Sequence, residues 1–344
     1  MNEASSFLSS IIANPTDDTP RLVYADWLDE TEVPENQDRA EFIRLQCQLA
    51  HLSGADPERP ALIKREKAIL KKYAKLWAKP FRELVSWWTF RRGFLDSAVV
   101  RTEGMGERFV PLFRQLIEAT PLQGICLFEQ FGQPEVLLPA APLMTRLREF
   151  GVRNGFLHRE GGVYRQLLHS PHLAGLTHLD LEGPRNGSWF GPRTLNAILK
   201  SPVLGGLQTL LLSDYITDLH PTVLSAVANS PALGNLRRLS ILSTSLDENR
   251  IRAFARARFA ATLESLELQC CRLTPEAWQV LLSANAFPNL KRLFLAAASV
   301  GSVEISVKDA ASEAVREQVR TRFGAAALNL KDEFPTRPWY HSWY

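Results

Sequence analysis

Pairs of apolar residues spaced one apart recur at Ile125/Leu127, Phe150/Val152, Leu179/Leu181, Leu210/Leu212, Leu239/Ile241, Leu266/Leu268 and Leu293/Leu295, with 25, 29, 31, 29, 27 and 27 residues between successive pairs. Ala98/Val100 stands 27 residues before the first. Alternate residues of a strand point to one face, so each pair marks a strand with one buried side. A spacing near 28 leaves room for a helix between strands, and helices are expected over 192–200, 221–229, 247–258 and 275–284. Three of them begin with a capping signature, at His220-Pro221, Asp247 and Thr274-Pro275. No unit of this length can bury its apolar pair alone; stacking them builds one core between a parallel sheet and a row of helices.

Residues 263–273, Leu-Glu-Ser-Leu-Glu-Leu-Gln-Cys-Cys-Arg-Leu, carry the fullest form of the pattern, L-x2-L-x-L-x2-C-x-L. That phrase resembles the leucine-rich repeat, and the unit length resembles its long, ribonuclease-inhibitor-like class. The resemblance implies an α/β solenoid with a parallel β-sheet on the concave face and helices on the convex face. The turn position of Cys271, where the family places Asn or Cys, is Gln130, Gly155, Pro184, Tyr215, Thr244 and Ala298 in the other units. An irregular solenoid is therefore expected, with no regular side-chain ladder at that position.

Ahead of the repeats, residues 1–58 read as three short amphipathic helices. Phe7, Leu8, Ile11 and Ile12 form the first apolar face, which stops at Asn14-Pro15; Val23, Tyr24, Trp27 and Leu28 form the second, with Thr19 as N-cap and Pro20 in the first turn; Phe42, Leu45, Leu49 and Leu52 form the third. The run Asn14-Pro15-Thr16-Asp17-Asp18-Thr19-Pro20-Arg21-Leu22-Val23-Tyr24-Ala25-Asp26-Trp27-Leu28-Asp29-Glu30, followed by Arg39-Ala40-Glu41-Phe42-Ile43-Arg44-Leu45-Gln46, resembles the repeat-companion domain found ahead of leucine-rich repeats in planctomycete-type bacteria. The resemblance covers about the first 50 residues. It implies a bacterial protein with an all-α N-terminal cap and repeats downstream; no activity and no site residue come with it.

The net charge of +3 hides a division: residues 1–58 hold 3 Arg against 12 Asp and Glu, a balance of −9, and residues 59–92 hold 11 Lys and Arg against 2 Glu, a balance of +9. Neighbouring segments of opposite sign attract, so internal pairing is expected. Residues 59–92 read as a basic helical linker and cap, with Ile63, Leu70 and Trp77 at heptad spacing and Lys64, Lys67, Lys71, Lys72, Lys75 and Lys79 on the remaining surface. Trp87, Trp88 and Phe90 are expected to plug the open end of the first repeat. The layout is then a helical domain over 1–58, the basic cap over 59–92, seven or eight repeats over 93–302, a capping unit over 303–330 with a strand at Val303/Ile305, a helix over 310–323 and an edge strand over 327–330, and an aromatic tail over 331–344.

Hydrophobic residues at 45% and charged residues at 22% are globular values. The first residues lack the basic start and apolar core of a signal peptide, no run of about 18 apolar residues occurs, and the four cysteines form no disulfide framework, so a cytoplasmic chain without a membrane partner is expected. Gly187-Ser188-Trp189-Phe190-Gly191 is not a nucleophile elbow, and Gly104-Met105-Gly106 lacks the third glycine of a dinucleotide loop. His169, His172 and His178 have no thiolate or fourth ligand nearby. The acidic cluster Asp26, Asp29, Glu30, Asp38 and Glu41 reads as a solvated or arginine-paired surface. No enzyme, metal or cofactor is called for.

Strand alternation instead predicts a concave binding surface, assigned to Phe128, Glu149, Arg153, Asp180, Glu182, Leu211, Arg238, Leu242, Glu267, Arg292 and Phe294. Apolar Phe128, Leu211, Leu242 and Phe294 among charged neighbours suit a protein partner, with the arginines poised for its carboxylates. The expected function is a non-enzymatic scaffold for protein–protein interaction. One alternative is an inhibitor or immunity-type protein blocking a neighbouring enzyme or toxin; the other is nucleic-acid binding through the basic helix 64–79, disfavoured by the adjacent acidic segment.

Overall fold

The computed structural model describes residues 3–128, 133–153, 157–182, 192–213, 219, 221–283, 285–296, 298–304 and 310–324. The fold is α/β with mostly parallel strands, in two compact units that divide near Cys126.

The first unit opens with α1 (Glu3–Ala13), α2 (Thr19–Glu30), α3 (Pro34–His51) and α4 (Arg59–Ala78). Ile11, Ala25, Leu28, Ala40, Ile43 and Cys47 share one core cluster, and Phe42, Leu45, Ile69 and Tyr73 form a second that joins α3 to α4. The start of α2 differs from the expectation: Thr19 lies inside the helix, and Asp17 Oδ1 accepts the Thr19 N–H at 2.9 Å. Buried Arg21 explains the run that follows Asn14. Its guanidinium donates to the carbonyls of Asp17 at 2.7 Å and Pro15 at 2.8 Å, giving a tight loop the partners its backbone lacks.

The helical reading of 59–92 holds only to Ala78, with a short 3-10 turn after it; Val85–Arg91 is strand β1, antiparallel to β2 (Phe94–Val100). Trp87, Trp88 and Phe90 therefore belong to a hairpin. The cause is local: Val-Ser-Trp-Trp-Thr-Phe is β-branched and aromatic, and Arg92 (φ 49°) and Gly93 (φ 86°) supply the two left-handed residues that a tight hairpin turn needs. Phe90 packs in the second helical cluster and Phe94 in the first, so the breaks expected at 58 and 92 separate no compact units. After α5 (Phe109–Ala119) comes β3 (Gly124–Phe128).

In the second unit α6 (Leu137–Ala140) leads to β4 (Glu149–Arg153), α7 (Leu157–Leu168), β5 (His178–Glu182), α8 (Pro192–Leu199), β6 (Thr209–Ser213), α9 (Pro221–Ala228), β7 (Arg238–Leu246), α10 (Glu248–Ala255), β8 (Ser265–Leu273), α11 (Pro275–Leu282) and β9 (Arg292–Ala296). β4 to β9 pair in parallel, in chain order, with Leu179, Leu210, Leu239, Leu266 and Leu293 in one register line. A third buried leucine stands three residues before each of the seven pairs, at Leu122, Leu147, Leu176, Leu207, Leu236, Leu263 and Leu290, so the spacing L-x2-apolar-x-apolar that marks 263–268 is shared by seven repeats. Two of the expected caps are in place: Asp247 accepts from Arg250 N at 2.9 Å and Thr274 from Ala277 N at 3.2 Å. His220 lies outside the described residues.

Past β9, β10 (Ser299–Val300) extends the ladder beside the far end of β8, β11 (Val303–Glu304) turns back on it, and α12 (Ala310–Phe323) follows. Gln318 accepts from the Trp278 indole at 2.6 Å, and Val319 is fully buried. Ile305, the edge strand expected over 327–330 and the aromatic tail lie outside the described residues.

Candidate functional site

Pairing of β4 to β9 arranges the strand-face residues in rows. Glu149, His178, Thr209, Arg238, Ser265 and Arg292 form the first; Gly151, Asp180, Leu211, Ser240, Glu267 and Phe294 the second; Glu182, Ser213, Leu242, Gln269 and Ala296 the third. These are the rows that alternation predicts. Their exposure is not.

Leu211 is 8% exposed and Leu242 is 5% exposed, and Arg153, Asp180, Glu182 and Glu267 are buried as well. The expectation that these residues face a partner is corrected. Parallel strands lie about 4.8 Å apart, so a row residue is shielded by the residues before and after it in the row as well as by its own strand. Leu211 stands between Asp180 and Ser240, and Leu242 between Ser213 and Gln269.

Burial of charge demands counter-charge. Arg153 lies 3.7 Å from Asp180 and 3.5 Å from Glu182, and Arg238 lies 3.3 Å from Glu267, which also takes the Gln269 amide. The three carboxylates that the predicted surface places in its middle units, Glu149, Asp180 and Glu182, are therefore split. Asp180 and Glu182 turn onto Arg153, whereas Glu149 stays partly accessible in the first row beside His178. Arg238, Arg292 and Phe294 are also partly accessible, and Phe128 is exposed at the end of β3.

One set of residues escaped the sequence reading: the rim where the chain enters each strand. The carbonyl of Arg148 accepts from both Thr177 N and His178 N, and the carbonyls of Thr177, Gln208, Arg237 and Glu264 each accept in the same way from two successive N–H groups of the next unit. Four residues before their leucine pairs, Asn235 donates to Gly205 O at 2.8 Å, Thr262 to Leu236 O at 2.8 Å and Asn289 to Ala261 O at 2.6 Å. A side-chain ladder thus exists, away from the turn position where it was sought. Its sequence signal was the spacing of 27 between Asn235, Thr262 and Asn289.

This rim borders a shallow groove lined by Gln208, Asn235, Arg237, Thr262, Glu264 and Lys291. Glu264 meets Arg237 at 2.6 Å and Lys291 at 3.4 Å; burial opposes its ionisation, but the two cations outweigh burial and hold its carboxyl below the usual range. The groove is polar and charge-paired, a surface for hydrogen bonding.

In the first unit part of the acidic segment is taken up by internal pairs. Arg44 takes Asp26 and Asp29, both at 2.6 Å; Arg65 takes Glu41; Lys72 and the Tyr73 hydroxyl take Asp38 at 2.9 and 2.5 Å. Buried Gln46 accepts the Gly93 N–H at 2.7 Å and donates to Glu66 at 2.7 Å, tying the hairpin turn to α3 and α4. Its signal was a polar residue within the apolar stripe of Phe42, Leu45 and Leu49.

The histidines stay apart in role: the His169 ring bonds Arg165 O and the His178 ring bonds the Thr177 hydroxyl, each at 2.8 Å. Among the described residues no three of His, Cys, Asp and Glu gather as a metal group, and no helix is long and apolar enough to cross a membrane. No protein-family model matches the chain, and a search of curated proteins finds no match.

Proposed function

We propose that the chain is a leucine-rich-repeat solenoid, with helices α1–α4 as its N-terminal cap, and that it serves in the cytoplasm as a non-enzymatic module binding another protein. The observation that carries this reading is the first strand row. Glu149, His178, Arg238 and Arg292 alternate there with the buried small residues Thr209 and Ser265. The row gives a line about 24 Å long, at one strand step of about 4.8 Å per unit. Long polar groups held at fixed intervals on a hydrogen-bonded sheet suit recognition of an extended, mixed-charge partner surface, since little order remains to be imposed on binding. The partner-facing set is then the first row and its rim, Arg237, Glu264 and Lys291, with Phe294 at the end. Buried Leu211, Leu242, Asp180 and Glu267 act by fixing the row.

A photo-crosslinking amino acid placed at His178 or at Arg292, and for comparison at Glu276 on α11, tests it in lysate of the source cells. One protein should be captured from both row positions and not from Glu276, and charge reversal by Arg238→Glu with Arg292→Glu should abolish the adduct. Equal capture from the helix position, or adducts untouched by the reversal, would refute the assignment.

A further inference from the structure

Helix α4 carries a second surface, remote in composition from the strand face. Lys64, Lys67, Lys71 and Lys75 are all exposed, and their spacing of three, four and four residues puts them within an arc of about 80° on one side of the helix. The neighbouring cations on the flank toward α3, Arg65 and Lys72, are consumed by Glu41 and Asp38. Among the described residues no carboxylate pairs with the other four. The internal pairing expected from the sequence reaches only one flank of the helix. The remaining lysines run about 16 Å along the axis, in steps of about 5 to 6 Å.

We infer that this lysine line binds the phosphate backbone of a nucleic-acid duplex, without reading its sequence. Successive phosphates advance about 3.4 Å along the axis of one strand, and flexible four-carbon stems can span the difference to meet about four of them. Between Lys64 and Lys75 the face presents Lys and Ala68, without the planar Arg, Asn or Gln groups of bidentate base readout; a lysine ammonium is a point charge on a flexible stem, suited to phosphate. An interfacial helix in a membrane would need its apolar side free for the lipid; here Ile69 and Tyr73 are buried against Phe42 and Leu45.

The test uses the full chain and a fluorescein-labelled mixed-sequence duplex of about 20 base pairs, long enough for the lysine line, with anisotropy read across a salt series. Binding should weaken with a log–log salt slope of about −3.6, the value for four phosphates, and a duplex of scrambled sequence should bind equally. Replacing Lys64, Lys67, Lys71 and Lys75 by Gln, which has similar helix propensity, should cut affinity at low salt at least tenfold. The same four changed to Arg should keep it, and so should Lys200→Gln, at an exposed lysine after α8. No binding at low salt, unchanged binding by the four-Gln variant with native circular dichroism, loss of binding in a folded four-Arg variant, or retention on phosphatidylserine vesicles without retention on the duplex would each overturn the inference.

Discussion

Gly93 sits against Ile43 so closely that a Cβ built on it would lie 2.9 Å from the Ile43 Cα. With φ at 86°, the position already favours glycine, and the contact ties the β1–β2 turn to the middle of α3. Gly93→Ala combines backbone strain with a clash against main chain that cannot rotate away. A loss of about 2–4 kcal/mol from the N-terminal unit is expected, measured as a lowered urea midpoint.

Arg39 stacks over Trp77 at 4.0 Å, with Phe42, Phe90 and Phe94 around it, and burial pushes its guanidinium down to about 10. It stays charged at neutral pH. A planar cation on a ring face is poorly replaced by an ammonium, so Arg39→Lys should cost about 1–2 kcal/mol. Equilibrium denaturation followed by tryptophan fluorescence would show an unchanged midpoint if the stacking carried nothing.

The pair spacing was enough to place Leu210, Leu239, Leu266 and Leu293 in one register line, because strand period and unit length are local properties. Burial of Leu211 and Leu242 was not legible in the same way. It depends on row neighbours 27–31 residues distant, whose side chains set how much of the face is left open. The β1 strand was hidden for another reason: its Trp-Trp-Thr-Phe follows a strong helical pattern with Pro80 as the only breaker between, and aromatic runs fit either period. The roles of Arg21 and Gln46 are not legible in the sequence, because a polar residue on an apolar face reads as an exception until its carbonyl partners are in place.

Cys270 is exposed, whereas Cys47, Cys126 and Cys271 are buried. Burial first, then the charge of Asp18, pushes the Cys47 thiol up to about 12. An unfolded thiol ionises near about 8.5, so the folded state holds the proton more tightly. The resulting stability is complete below that pH and is lost as pH rises through about 12. At pH 8, iodoacetamide should label Cys270 and spare the other three, read by peptide mass spectrometry. Between about pH 8 and 10 the wild type should lose more stability than Cys47→Ala; parallel curves would show that the Cys47 environment does not distinguish the two protonation states.

Thr262 is the sharpest test of the rim ladder. Its hydroxyl lies 2.8 Å from Leu236 O, with Gly234 O and Phe259 O each at 3.2 Å, so one proton serves a cluster of three carbonyls where two units meet. Thr262→Val keeps the shape and removes the donor. It should lower the stability of the second unit by about 1–2 kcal/mol, the cost of stranding a partly buried acceptor. Thr262→Ser keeps the hydroxyl but loses the methyl group, and should recover most of that loss. If Val and Ser behave alike in thermal denaturation, the hydroxyl contributes nothing and the ladder reduces to its backbone bonds; if only Val is destabilised, each unit is fastened to the one before it by a side chain as well as by its strand.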